Sequence, residues 1–305
     1  MKSIIRIPII VACLLLVCFI WNKSVQDKMI LEGISLAPNE HYLIFGDSHG
    51  VCSFNTNYIK NAKNLSNWGE SLLFSYYKLK KILEQNSERD DLTVILTMSF
   101  HTLYKCRENY MIPEQRSKII QEYYPLLDSE AKDIIGRTGT EYYLTKLKFD
   151  YGVPFAFKTN IEKQLNNTSF FSVGYNNQET SNNVNLSHVN EKLNDHFENQ
   201  LEPVQSELVV DYLYRIVELT SRNNMPLILV NPPKHELYIN AVPKAVVERF
   251  NEQMAKLVKL NSHMRIYDFS CSFTDIDLFR DTDHVNATGA KFFSKKLDSC
   301  LVADF

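Results

Sequence analysis

Long apolar runs are nearly absent from this chain. Of its 305 residues, only the stretch from Ile4 to Trp21 is apolar over a span-like length. That excludes a polytopic membrane protein, which needs several such runs. A mean hydropathy of −0.23 agrees with the exclusion. Basic clusters are missing too. Lys and Arg number 33 against 36 Asp and Glu, for a net charge of −3, which argues against nucleic acid as a partner. The six cysteines form no C-x-x-C pair and no Cys/His spacing of the zinc-site type, so no metal is indicated. Glycine is scarce, at nine residues, and the first strand-to-helix turn holds only Gly46 and Gly50. A phosphate-binding turn of the flavodoxin or nucleotide type would be richer in glycine. No internal repeat is visible. What remains, 45% hydrophobic and 23% charged residues, is the composition of a globular chain, not a disordered one.

The apolar run itself covers 18 residues from Ile4 to Trp21, interrupted by Arg6 and Pro8. A spanning helix takes roughly 17–25 mostly apolar residues, so residues 1–21 read as a transmembrane signal anchor. A cleaved signal peptide is a second reading, although no small-x-small site follows the run. A lipoprotein signal is a third, from Ile10-Val11-Ala12-Cys13, but the run stays apolar for eight residues past Cys13. On each reading the remainder lies outside the cytoplasm, periplasmic or at the cell surface. Disulfides are permitted there. Cys271 and Cys300 bracket the last helix and are placed either to pair or to stay as buried thiols.

Residues 22–38 read as a linker, and 39–305 as one domain. Strand-like segments lie at 41–45, 62–65, 92–98, 226–230 and 264–268, and helical spacing at 70–83, 209–219, 245–260 and 287–301. This alternation predicts an α/β fold with a mainly parallel five-stranded sheet. Residues 107–200 break the pattern and read as an insertion. Within it, 113–127 and 129–135 look helical, whereas 160–200 is Asn-rich with weak periodicity. Insertions of this kind often cap or shape a site.

Three short segments carry chemistry. Gly46-Asp47-Ser48-His49 follows the first strand directly, at the sheet edge where open parallel sheets place their sites. Its plain reading is a turn in which Asp47 or Ser48 caps a helix. Asp281-Thr282-Asp283-His284 precedes the last helix. A serine nucleophile needs a base, and the base needs an orienting carboxylate. Asp281, three residues before His284, can reach its ring. Asp283 is an alternative orienter, although an acid adjacent to the histidine usually points away. Asn64-Leu65-Ser66-Asn67-Trp68-Gly69 lies between the second strand and its helix. Gly69 can supply an oxyanion N–H, and Asn67 with Glu70 reads as a helix cap.

In this order, the three segments resemble the SGNH (GDSL-like) hydrolase superfamily from about residue 40 to the end. The nucleophile block matches at Gly46-Asp47-Ser48. The second block matches at Asn64 and Gly69, with Ser66 where its first glycine would be. The last matches at Asp281 and His284. After the third strand the family carries Gly-x-Asn, and this chain has Thr97-Met98-Ser99-Phe100-His101 instead.

The resemblance implies a flavodoxin-like three-layer α/β/α domain and a serine-dependent acyl-ester hydrolase or O-acyltransferase. Similar membrane-tethered relatives act on acylated cell-envelope polysaccharide. It implies Ser48 as nucleophile, His284 as base and Asp281 as its orienter. The Ser48 and Gly69 N–H groups would hold the oxyanion, with Ser99 or His101 in place of the absent asparagine. Asn64, Lys234 or His235 would line the substrate cleft, and neither metal nor organic cofactor is implied. The alternative is a non-enzymatic module of the same fold that binds a glycan or a partner.

Overall fold

The computed structural model describes residues 32–111, 173–176, 184–261 and 263–304, with interspersed positions between 10 and 30 and between 119 and 146. The chain divides into two compact units, Leu36–Met111 with Val173–Phe305, and Met1–Ser35 with Ile112–Ser172. In chain order the elements are β1 (Tyr42–Phe45), α1 (Ser48–Ser53), β2 (Ala62–Asn64), α2 (Leu72–Gln85) and β3 (Thr93–Thr97). The second unit contributes α3 (Ser129–Ile135). Then follow α4 (Leu186–Phe197), α5 (Glu207–Arg222), β4 (Leu227–Asn231), α6 (Glu236–Ala241), α7 (Lys244–Leu260), β5 (Met264–Asp268) and α8 (Ala287–Asp304).

The five strands form one sheet in the order β2-β1-β3-β4-β5, with every pair parallel. Successive side chains of a strand face opposite sides of a sheet. The register sets Ile44, Ile95 and Ile228 side by side, and this row packs with Phe54, Phe293, Leu297 and Leu301. Phe293, Leu297 and Leu301 recur every fourth residue of α8 and are fully buried. Each such side chain stabilises the fold by roughly 1.5–3 kcal/mol.

On the other face, Lys78 of α2 lies over the Phe45 ring, and Tyr76 and Tyr77 meet Tyr212 of α5. Helices therefore cover both faces, in three α/β/α layers. Chain order reverses between β1 and β3, so a crevice opens at the carboxyl end of β1.

The strands and the helices over 207–222, 244–260 and 287–304 fall within a few residues of the sequence expectation. Two elements differ. Asn67 does not cap α2, which begins at Leu72 after Ser71. Glu70 turns inward instead, and its carboxylate takes Lys78 Nζ at 2.6 Å and Ser75 Oγ at 2.5 Å in full burial. The Asn-rich stretch ends in a helix. In α4, Asn185 caps through the His188 N–H at 2.9 Å, and Val189 and Phe197 are buried.

In the second unit, Asp128 caps α3 through the Ala131 N–H. The described positions between 10 and 34 are helical, and Ile10, Leu14, Val17 and Ile20 are each more than half exposed. Among the described residues no helix is long and apolar enough to cross a membrane. Part of the expected span over 1–21, residues 113–118 and 121 of the expected helix 113–127, and Cys18 lie outside the described residues.

Candidate active site

The turn that carries Ser48 is set by a close approach of two strands. Gly46 has φ +152°, and a Cβ there would meet Thr97 Cβ at 2.5 Å. Only glycine lets the chain leave β1 so near the end of β3. Asp47 then caps α1, its Oδ1 accepting from the His49 N–H at 3.0 Å. Ser48 opens α1 with its side chain half-buried. Gly50, two residues on, makes room for Ser66, since a Cβ there would meet Ser66 Oγ at 2.1 Å.

The loop before α8 delivers the histidine. Asp281 Oδ1 accepts from the Asp283 N–H at 3.1 Å and the His284 N–H at 2.8 Å, which folds Asp281–His284 into a tight turn. Both Asp281 oxygens then lie 3.0–3.1 Å from His284 Nδ1, and His284 Nε2 lies 2.9 Å from Ser48 Oγ. Hydroxyl, imidazole and carboxylate stand in hydrogen-bonded series across 236 residues of chain.

Asp283 points inward, fully buried. Its Oδ1 lies 3.3 Å from His284 Nδ1 and 3.5 Å from Lys192 Nζ. Its Oδ2 lies 3.6 Å from His49 Nε2 and 3.8 Å from His196 Nε2. Burial opposes protonation of His284, but Asp281 and Asp283 outweigh it and hold its pKa well above the usual histidine value. His49 behaves oppositely. Burial pushes it down to about 3 against the pull of Asp47, so it stays neutral. Its ring packs 4.6 Å from that of His284, so His284 has an uncharged neighbour.

Behind Ser48, Asp47 Oδ2 takes Arg107 at 3.0 Å and His101 Nε2 at 3.0 Å. Burial alone would raise the Asp47 pKa. Arg107 and the hydrogen bonds from His101 and His49 outweigh it and hold the carboxyl well below its usual range.

The backbone N–H groups of Ser48 and Gly69 make no hydrogen bond among the described residues. Gly69 has φ +67°. Ser99 Oγ and His101 Nδ1, on the two residues expected to supply a third donor, are buried without a hydrogen-bond partner among the described residues. His101 is committed to Asp47 and stacks on His196 at 4.0 Å. Ser99 is fully buried, its N–H donating to Thr102 Oγ1. Among the described residues neither bonds to Ser48 or His284.

The three expected cleft residues also have other work. Asn64 Nδ2 donates to Gly50 O and Phe54 O while its Oδ1 takes the Ser66 N–H, tying α1 to β2. Lys234 is fully buried, its Nζ on Asn231 Oδ1 at 2.6 Å and Pro232 O at 2.9 Å. Burial lowers its pKa to about 8. His235 caps α6 through the Leu237 N–H. Cys271 and Cys300 are free thiols, not a disulfide.

Four contributors were not singled out from the sequence: Arg107, His188, Lys192 and His196. The last three recur every four residues along one face of α4. His188 Nδ1 bonds Thr282 Oγ1 at 2.9 Å, and the other two face Asp283. That spacing was the available signal.

Among the described residues three clusters bring possible metal-ligand atoms within 4.8 Å: Asp47–His49–His101, His49–Asp283–His284 and His188–Asp281–Asp283. The first shares Asp47 with Arg107. The others share His284 or Asp281 with the serine array, so an ion in either would compete with that array for its atoms. No protein-family model matches this chain, and no curated protein matches it either.

Proposed function

We propose that this chain is an SGNH-type serine acyl-ester hydrolase or O-acyltransferase, acting outside the cytoplasm on acylated envelope polysaccharide. The observation that supports this most is the 2.9 Å contact between Ser48 Oγ and His284 Nε2, with Asp281 on the opposite ring nitrogen. The strand order, flavodoxin-like, puts that contact at the crevice such sheets use. The glycan and the membrane tether rest on the resemblance and on the apolar run at the amino terminus.

In this reading His284 takes the Ser48 proton as Oγ attacks the ester carbonyl, and the Ser48 and Gly69 N–H groups bind the resulting oxyanion. His284 then protonates the leaving alkoxide, which leaves an acyl-serine. Water or a sugar hydroxyl, deprotonated by the same imidazole, removes the acyl group. Asp281 stabilises the imidazolium at each stage.

The test is acyl transfer from an acetylated glycoside by the full chain in detergent, with and without a sugar acceptor. Turnover lost in Ser48→Ala supports the reading. Release that ignores the acceptor makes it a hydrolase, and acceptor-dependent product makes it a transferase. No turnover in either condition overturns it.

A binding module of the same fold is the second reading, favoured by one observation: the asparagine that the family carries after β3 is absent, and His101, one candidate to replace it, has its Nε2 on Asp47. Loss of one such donor costs about 100–1000-fold in turnover.

A further inference from the structure

Arg280 is the residue just before the turn that holds His284. Its own N–H donates to His284 O at 3.0 Å, so the turn that places the imidazole also places Arg280. The side chain is half-exposed. Its guanidinium lies 5.7 Å from the centre of the Trp68 ring, and Trp68, next to Gly69, has its ring 6.3 Å from that of His284. The cation therefore stands, partly exposed, one aromatic ring away from His284.

Other cations around the site have acidic or carbonyl partners. Arg107 is on Asp47, Lys192 faces Asp283, Lys78 is on Glu70 and Lys234 is on Asn231. Among the described residues Arg280 has no carboxylate partner. The indole steadies the guanidinium without neutralising it, so, among the described residues, its N–H donors stay available in their planar fork. That fork matches the paired oxygens of a carboxylate or phosphate.

We propose that Arg280, steadied by Trp68, anchors an anionic group, carboxylate or phosphate, on the acyl-ester substrate of Ser48. This rests on the esterase reading and narrows its substrate to acidic acylated saccharides.

The test compares kcat/KM for three acetylated methyl glycosides: a neutral one, its 6-carboxylate and its 6-phosphate. The full chain should favour one acidic ester over the neutral one, and which one identifies the group. Arg280→Gln should reduce that preference about ten- to hundredfold, through KM. Arg280→Lys should restore only part, since an ammonium lacks the fork. A wild-type preference near unity, or one that Arg280→Gln leaves intact, overturns the proposal.

Equilibrium binding of the three deacetylated glycosides to Ser48→Ala keeps the two claims apart. Arg280-dependent binding of an acidic glycoside with no ester turnover means that the anion site stands and the esterase reading fails. Ester turnover with no acidic preference means the reverse.

Discussion

The carboxylate of Asp283 lies 3.3 Å from Nδ1 of His284, its neighbour in the chain, on the nitrogen that Asp281 already holds at 3.0 Å. Two carboxylates therefore act on one imidazole. A base must be neutral to accept a proton, so kcat/KM should rise with pH through a His284 pKa well above the usual value. Asp283→Asn removes one of the two charges. The acid limb of the profile should then move to lower pH, and an NMR titration of the His284 ring should show the same shift without recourse to activity. An unmoved limb and an unmoved titration would rule Asp283 out as a positioning residue.

Stability should also depend on pH, with a sign the buried histidines set. Burial lowers His49 to about 3 and also lowers His101 and His196. Between pH 6.5 and 4 the unfolded chain thus binds protons that the folded chain refuses. Stability is present above the unfolded pKa and is lost as pH falls. Urea midpoints should drop steadily across that window, and His49→Gln should flatten the slope. A midpoint constant from pH 6.5 to 4 would contradict the buried neutral cluster.

Gly50 and Ser66 should behave as a coupled pair. A methyl at 50 would meet Ser66 Oγ at 2.1 Å and Cβ at 2.6 Å, so Gly50→Ala should destabilise by about 1–3 kcal/mol. Gly50→Ala with Ser66→Gly should recover most of that. Denaturant melts of the four proteins of the cycle measure the coupling, and additive losses would show that the contact is not the cause.

Arg107→Ala should cost about 3–5 kcal/mol, because it leaves Asp47 buried without its cation. The loss should shrink in Arg107→Ala with Asp47→Asn. Chemical denaturation at pH 7 is the check.

The parts of this site that lie in consecutive residues were legible in the sequence. Gly46-Asp47-Ser48 and Asp281–His284 are local turns, and their chemistry depends on spacing of one to three residues. The strands were equally plain, because β3 and β4 are buried along their whole length and read as unbroken apolar runs. Side-chain direction was not legible. Asn64, Lys234 and His235 sit at or just past the carboxyl ends of strands, as expected, yet Asn64 turns to backbone groups of α1, Lys234 into its own loop, and His235 to cap a helix. Asp283 was legible only as an alternative orienter, for a similar reason. An acid adjacent to a histidine turns toward the same ring only when a turn as tight as the one Asp281 closes brings it round. Helix α4 was hidden because Val189, Leu193 and Phe197 are a thin apolar stripe among Asn, Glu and Lys, and because its polar face is what meets the site.

The central claim is that Ser48 is an activated nucleophile. The direct measurement is labelling of the full chain with a fluorophosphonate, with the adduct located by peptide mass spectrometry. The account predicts one adduct, on Ser48, lost in Ser48→Ala, strongly reduced in His284→Ala, and forming faster as pH rises. Absence of an adduct on the wild-type protein, or an adduct that persists in Ser48→Ala, would contradict it.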